Sequence, residues 1–187
     1  MAYEKLYPAR RLTLLLVVAV SGLCHASGRI LVEAEAAAEV EAPAVIVRTA
    51  APPEGIETVE GASGEAYLAI PQGVGNPPEV NAGKAVYPIK VPVDGTYTLW
   101  LRAWWDDSCG NSVSIQVNDS PLFPIEDTTY KTWHWVRSPP RLPQLKLKAG
   151  DAVLVIHNRE DGIRIDQILL INNRRYIPVD IESAETP

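Results

Sequence analysis

Short runs in which apolar and polar positions alternate, or in which apolar residues follow one another unbroken, recur along this chain from residue 29 onward. Segments 29–35 (RILVEAE), 44–48 (AVIVR), 65–70 (EAYLAI), 84–91 (KAVYPIKV) and 96–104 (TYTLWLRAW) read as strands on that pattern. So do 112–117 (SVSIQV), 132–136 (TWHWV), 144–148 (QLKLK), 152–158 (AVLVIHN) and 165–171 (IDQILLI). Turn chemistry separates them, in PVDGTY, VNDSP, LKAGDA and REDG. No heptad, no long 3.6-residue period and no internal repeat competes with this reading. Short strands at such spacing predict an all-β fold, a jelly-roll β-sandwich. The long irregular connection 49–64 (TAAPPEGIETVEGASG) stands out, because long loops in compact domains are more often functional or mobile than inert.

The N-terminus follows a different pattern. Lys5, Arg10 and Arg11 precede the apolar run LTLLLVVAVSGL, and small residues follow at Cys24 and Ala26. That order predicts a secretory signal peptide over 1–26, cleaved after Ala26. The run is shorter than the roughly 20 apolar residues that a membrane span needs. The mature chain is therefore expected to be exported, secreted or periplasmic, with no membrane insertion. It would consist of one domain over 29–181 and a solvated tail over 182–187.

Charge narrows the partners. The full chain carries a formal charge of −6, and loss of residues 1–26, with three basic residues and one acid, leaves −8. Such acidity speaks against nucleic acid and anionic membrane surfaces. Cys24 would leave with the signal, so Cys109 has no internal disulfide partner and reads as a small, half-buried packing residue.

Three carboxylates suggest a metal. Glu33 and Glu35 lie two apart on a predicted strand and share a face, while Asp166 is aligned with the apolar row of Ile168 and Leu170. An acid in an apolar row is costly unless it is paired or coordinates a cation. Hard cations such as Ca²⁺ take 6–8 oxygens. A solvated edge for Glu33 and Glu35, with Asp166 capping a turn, accounts for the same pattern equally well.

The opening EAE, the central VPVDGTYTLWLRA followed by NSVSIQVN, the W-x-W of TWHWV, LKAGDAVLVIHNREDGIRIDQILL and the closing YIP resemble carbohydrate-binding modules of the family 6 and family 35 kind. Those modules are galactose-binding-like β-sandwiches, and the likeness spans nearly the whole mature chain. The resemblance implies a structural calcium ion held by Glu33, Glu35 and Asp166. It also implies a sugar site in loops at one end of the sandwich, with Trp133 or Trp135 as aromatic platform and Asn158 or Arg159 in the loop before the late aspartate. An indole stacks on the apolar face of a pyranose, and amide or guanidinium groups bond adjacent hydroxyls. The sequence departs from the family in the loop WWDDSCGNS and in the charge of NRED.

These features together predict one shallow groove built from Trp105, Asp107, Asn111, Tyr130, Trp133, Asn158 and Arg159. Trp104 and Trp105 should point to opposite faces if their strand continues, one into the core and one out. The expected partner is a polysaccharide or cell-surface glycan, bound without catalysis. Two other classes remain open. One is a structural or adhesive sandwich that binds no sugar. The other is a small glycan-cleaving enzyme using a pair among Asp106, Asp107, Glu160 and Asp161.

Overall fold

Two antiparallel sheets face each other in a computed structural model that describes residues 28–73, 82–139 and 145–184. Strands are numbered along the chain. The seven-stranded sheet contains β1 (Arg29–Glu33), β3 (Val45–Arg48), β4 (Ala66–Ile70), β6 (Gly95–Trp105), β9 (His134–Arg137), β10 (Leu145–Leu147) and β12 (Ile163–Ile171). The five-stranded sheet contains β2 (Glu39–Glu41), β5 (Lys84–Val91), β7 (Ser112–Val117), β8 (Phe123–Glu126) and β11 (Gly150–His157). This is the expected all-β sandwich. The proposed signal peptide at 1–26 lies outside the described residues.

Alternation sets which side chains enter the core. Ala85, Tyr87, Ile89 and Val91 of β5 point inward, as do Ala152, Leu154 and Ile156 of β11. On β6, Tyr97, Leu99, Leu101, Ala103 and Trp105 join the same core. Their neighbours Trp100, Arg102 and Trp104 are therefore carried to the outer face of the seven-stranded sheet. A second, smaller apolar cluster of Val47, Ala62, Tyr67 and Ala69 lies on that outer face beneath the loop 49–64, with Ile56 and Trp133 packed against it.

Two segments cover parts of this outer face. The loop 49–64 is tied down by the amide of Val59 on the Tyr67 hydroxyl at 3.1 Å and by Trp133 Nε1 on the carbonyl of Glu60 at 2.8 Å. The C-terminal segment returns along β12. Gln167 exchanges hydrogen bonds with the backbone of Glu182 at 3.0 and 2.9 Å, and Arg29 pairs with the Glu182 carboxylate at 2.8 Å. Glu182 is only 4% exposed, so it is part of the fold. The solvated end expected from residue 182 starts after it, with Ser183 and Ala184 exposed.

Candidate functional site

The β6–β7 and β11–β12 turns meet at one end of the sandwich. A Cβ on Gly110 would overlap the carbonyl oxygen of Asp161, so this approach of two backbones requires glycine. The β8–β9 connection joins them: Asn111 Nδ2 donates to the carbonyl of Asp127 at 2.6 Å, and Tyr130 forms a bridge with Trp105. The three connections expected to share a rim do share one.

The polar groups of this rim are largely occupied with one another. Asp107 Oδ1 accepts the amides of Cys109 and Gly110 at 2.8 and 3.1 Å, closing its own turn. Glu160 is buried and accepts the amide of Asn111 at 2.9 Å, and Asp161 accepts the amide of Gly73. Arg159 donates to the Ser112 hydroxyl and pairs with Glu126 at 3.5 Å and Glu160 at 3.6 Å. Tyr130 is half-buried against the core. Cys109 is exposed, not half-buried.

Two residues assigned to the groove are inside the protein. Trp105 has no exposed surface, and its Nε1 donates to Asp127 at 3.0 Å. Of the adjacent tryptophans it is Trp104 that faces outward, because inward alternation on β6 ends on the odd positions. Asn158 also has no exposed surface, and its amide donates to the carbonyl of Ala82 at 3.2 Å. Neither side chain is positioned to touch a ligand. Asn158 instead helps tie the β11 end to the chain entering β5.

Trp133 lies apart from the rim, on the outer face. Its ring meets Trp104 edge-on at 5.9 Å and Tyr67 at 5.7 Å, and the Arg102 guanidinium sits 5.4 Å from its centroid. Trp135 and Trp100 continue the aromatic surface, with Trp135 opposite Arg102 in the β6–β9 register. Trp133 and Trp135 thus share a face, as their spacing implies, and both are half-buried. The sequence reading passed over Trp100 and Arg102. Their signal was the i, i+2, i+4 spacing of Trp100, Arg102 and Trp104 in TLWLRAWW.

The three candidate metal ligands are near neighbours, though not by the expected route. Glu33 ends β1, and Glu35 sits on the 3₁₀ turn Ala34–Ala36. Asp166 leaves the apolar row because a β-bulge between Ile165 and Gln167 breaks the register with β6. Ile168 and Leu170 face the core, whereas Asp166 accepts hydrogen bonds from Arg102 and, at 2.8 Å, from the amide of Ser63 in the long loop. Arg102 also donates to the carbonyl of Gly61 at 3.1 Å.

Charge is concentrated here in little solvent. Burial raises the Glu35 pKa above the ordinary carboxylate value, and the charges of Glu33 and Asp166 add to that rise. Burial raises Asp166 as well, against the opposing effect of Arg102. Glu33 Oε2 and Glu35 Oε2 are buried without hydrogen-bond partners among the described residues. Two such oxygens suit a hard cation. Both Asp166 oxygens are engaged by protein donors, and among the described residues no three acidic, His or Cys side chains are gathered into a metal shell as they stand.

No family model and no curated protein matches this sequence. Solved structures do match. The Podospora anserina GH26-CBM35 β-(1,4)-mannanase superposes at TM-score 0.56 and 19% identity, over 83% of this chain and 30% of that one. A family 35 carbohydrate-binding module from Clostridium thermocellum superposes at 0.52 and 22% identity, over 76% of this chain and 98% of the module. The fold is a β-sandwich like that of the family 35 module. The Arthrobacter globiformis T6 isomalto-dextranase complexed with panose shares it over 76% of this chain and 23% of its own, at TM-score 0.55 and 16% identity. This chain therefore spans under a third of the two enzymes and nearly all of the isolated family 35 module.

Proposed function

We propose that this chain is an exported, non-catalytic carbohydrate-binding module whose ligand rests on the outer aromatic face. The observation that carries this reading is the half-exposed Trp104–Trp133 pair held beside Arg102. Indoles fixed by edge contacts and hydrogen bonds present flat apolar surface to a pyranose at little cost in side-chain freedom. The likeness in fold to solved carbohydrate-binding modules supports it. On this reading residues 1–26 direct export.

Calcium belongs to the same proposal. Glu33, Glu35 and Asp166 would hold the ion, and its two charges would balance the two carboxylates that Arg102 leaves uncompensated. When bound it would link β1, β12 and the loop 49–64, a purely structural contribution.

Affinity electrophoresis through soluble polysaccharides, with the wild type beside Trp133→Ala, tests the reading. Native-gel retardation by a mannan, a β-1,3-galactan or a dextran is expected, and Trp133→Ala should lose at least about tenfold in affinity, equivalent to ~1.4 kcal/mol. A folded wild type that migrates unchanged through all three would leave the adhesive reading in its place.

A further inference from the structure

The C-terminal segment that returns over β12 carries an aliphatic ridge in solvent. Ile177, Val179 and Ile181 are 71%, 68% and 48% exposed, while the intervening Pro178 is buried. Only three other large apolar side chains are exposed among the described residues, Val40, Leu122 and Val153, and they stand on separate elements. Beside the ridge runs an open groove that reaches the half-buried indoles of Trp100 and Trp135. Contiguous apolar surface of this kind marks a contact site on a soluble protein.

The ridge is held in place from beneath. Trp135 Nε1 donates to the carbonyl of Asp180 at 2.9 Å, and the amide of Val179 donates to the Glu182 carboxylate at 3.2 Å. Glu182 is itself anchored to Gln167 and Arg29. The aliphatic side chains are therefore displayed on a fixed backbone, and little ordering is needed on binding. Branched aliphatic tips give a pyranose no flat face to stack on, so the glycan surface at Trp104–Trp133 does not account for them.

Charge and sequence order select the partner. Arg137, over the Trp100 ring at 5.7 Å, and Asp180, within the ridge, are both exposed, and neither has an ion-pair partner among the described residues. The surface thus carries an unpaired charge of each sign beside a row, Ile–Val–Ile, that reads the same in both directions. A two-fold axis lays such a patch reversed on its own copy. Arg174 and Arg175, exposed at the turn before the ridge, add positive charge, and a second copy with a net charge of −6 is an acidic partner. The same acidity, with Asp180 in the ridge, disfavours an anionic lipid surface.

We infer that this ridge is an isologous contact through which two copies of the chain associate. Val179 meets Val179 at the two-fold axis, Ile177 meets Ile181, and Arg137 and Asp180 find opposite charges on the other copy. The inference does not rest on the glycan-binding reading. Standard interfaces bury about 800 Å² on each partner, and one ridge with one groove places this contact among the smaller, reversible ones.

Sedimentation velocity of the folded protein from about 5 to about 500 µM should show a shift from monomer to dimer. Val179→Asp sets like charges against each other at the axis and should weaken association at least about tenfold. Its melting temperature should stay that of the wild type, because Val179 is exposed; Ile177→Asp is the second test should Val179→Asp melt early. A wild type that remains monomeric throughout overturns the inference. So does a folded Val179→Asp or Ile177→Asp that dimerises as the wild type does. If the monomer instead floats with phosphatidylserine vesicles and Val179→Asp does not, the ridge is a lipid contact and the dimer is overturned.

Discussion

The loop rim and the outer face of the seven-stranded sheet both carry the residue types of a sugar site, yet they are chemically opposite. At the rim, Asp107, Asn111, Arg159 and Glu160 all bond to neighbouring protein groups. Recruiting them to a ligand means breaking those bonds first. On the outer face, the donor of Trp100 and one oxygen each of Glu33 and Glu35 are buried without partners among the described residues, and three further indoles are half-exposed. Polar richness alone does not make a loop ready for a ligand. Readiness lies where the fold leaves groups fixed but unsatisfied.

The largest effect should come from the pair joining the two halves of the outer face. Arg102 and Asp166 have side chains only 9% and 0% exposed. Removing one member leaves the other as an uncompensated buried charge, so Arg102→Met should destabilise the protein by about 3–5 kcal/mol in urea unfolding. A loss under about 1 kcal/mol would show that Asp166 does not depend on Arg102.

Calcium comes next. An ion that binds only the native state adds about 2.7 kcal/mol at a hundredfold excess over its dissociation constant. The melting temperature should rise in millimolar calcium relative to EDTA, and Glu33→Gln with Glu35→Gln should abolish the rise. Superimposable melting curves would remove the ion from the picture.

Arg159→Ala sharpens the contrast from the rim side. Its ion pairs with Glu126 and Glu160 are long, and the pair with exposed Glu126 contributes roughly 0–1 kcal/mol. Its effect on glycan affinity should fall well below that of Trp133→Ala. An equal or greater loss would move the site back to the loops. The smallest effect concerns Cys109: because it is exposed, a thiol reagent should label it in the folded protein, and reductant should leave the melting curve unchanged. A reductant-sensitive dimer on a non-reducing gel would contradict this.

Legibility differed with the range of the interaction. Strand positions and the sandwich followed from local periodicity, since inward Tyr87, Leu99, Leu101 and Leu154 alternate with outward residues at a spacing of two. The meeting of the rim turns was readable too, from turn signals at strand ends. Glu33, Glu35 and Asp166 were grouped by their residue pattern and by likeness to a family, but the sequence pattern misdescribed how they meet. It had a strand where Glu35 occupies a 3₁₀ turn, and an apolar row where a bulge turns Asp166 away.

By itself, then, the amino-acid sequence determined the strands, their inward faces and the pairing of one inward with one outward tryptophan in AWW. These depend on backbone geometry that repeats every two residues. Only the tertiary structure decided which tryptophan was which, that Asn158 is interior, and that the C-terminal segment borders an open groove beside Trp100 and Trp135. Those outcomes depend on register, on one bulged residue and on segments packed from the far end of the chain. A one-residue shift of register exchanges the two faces of a strand, so no local pattern encodes them.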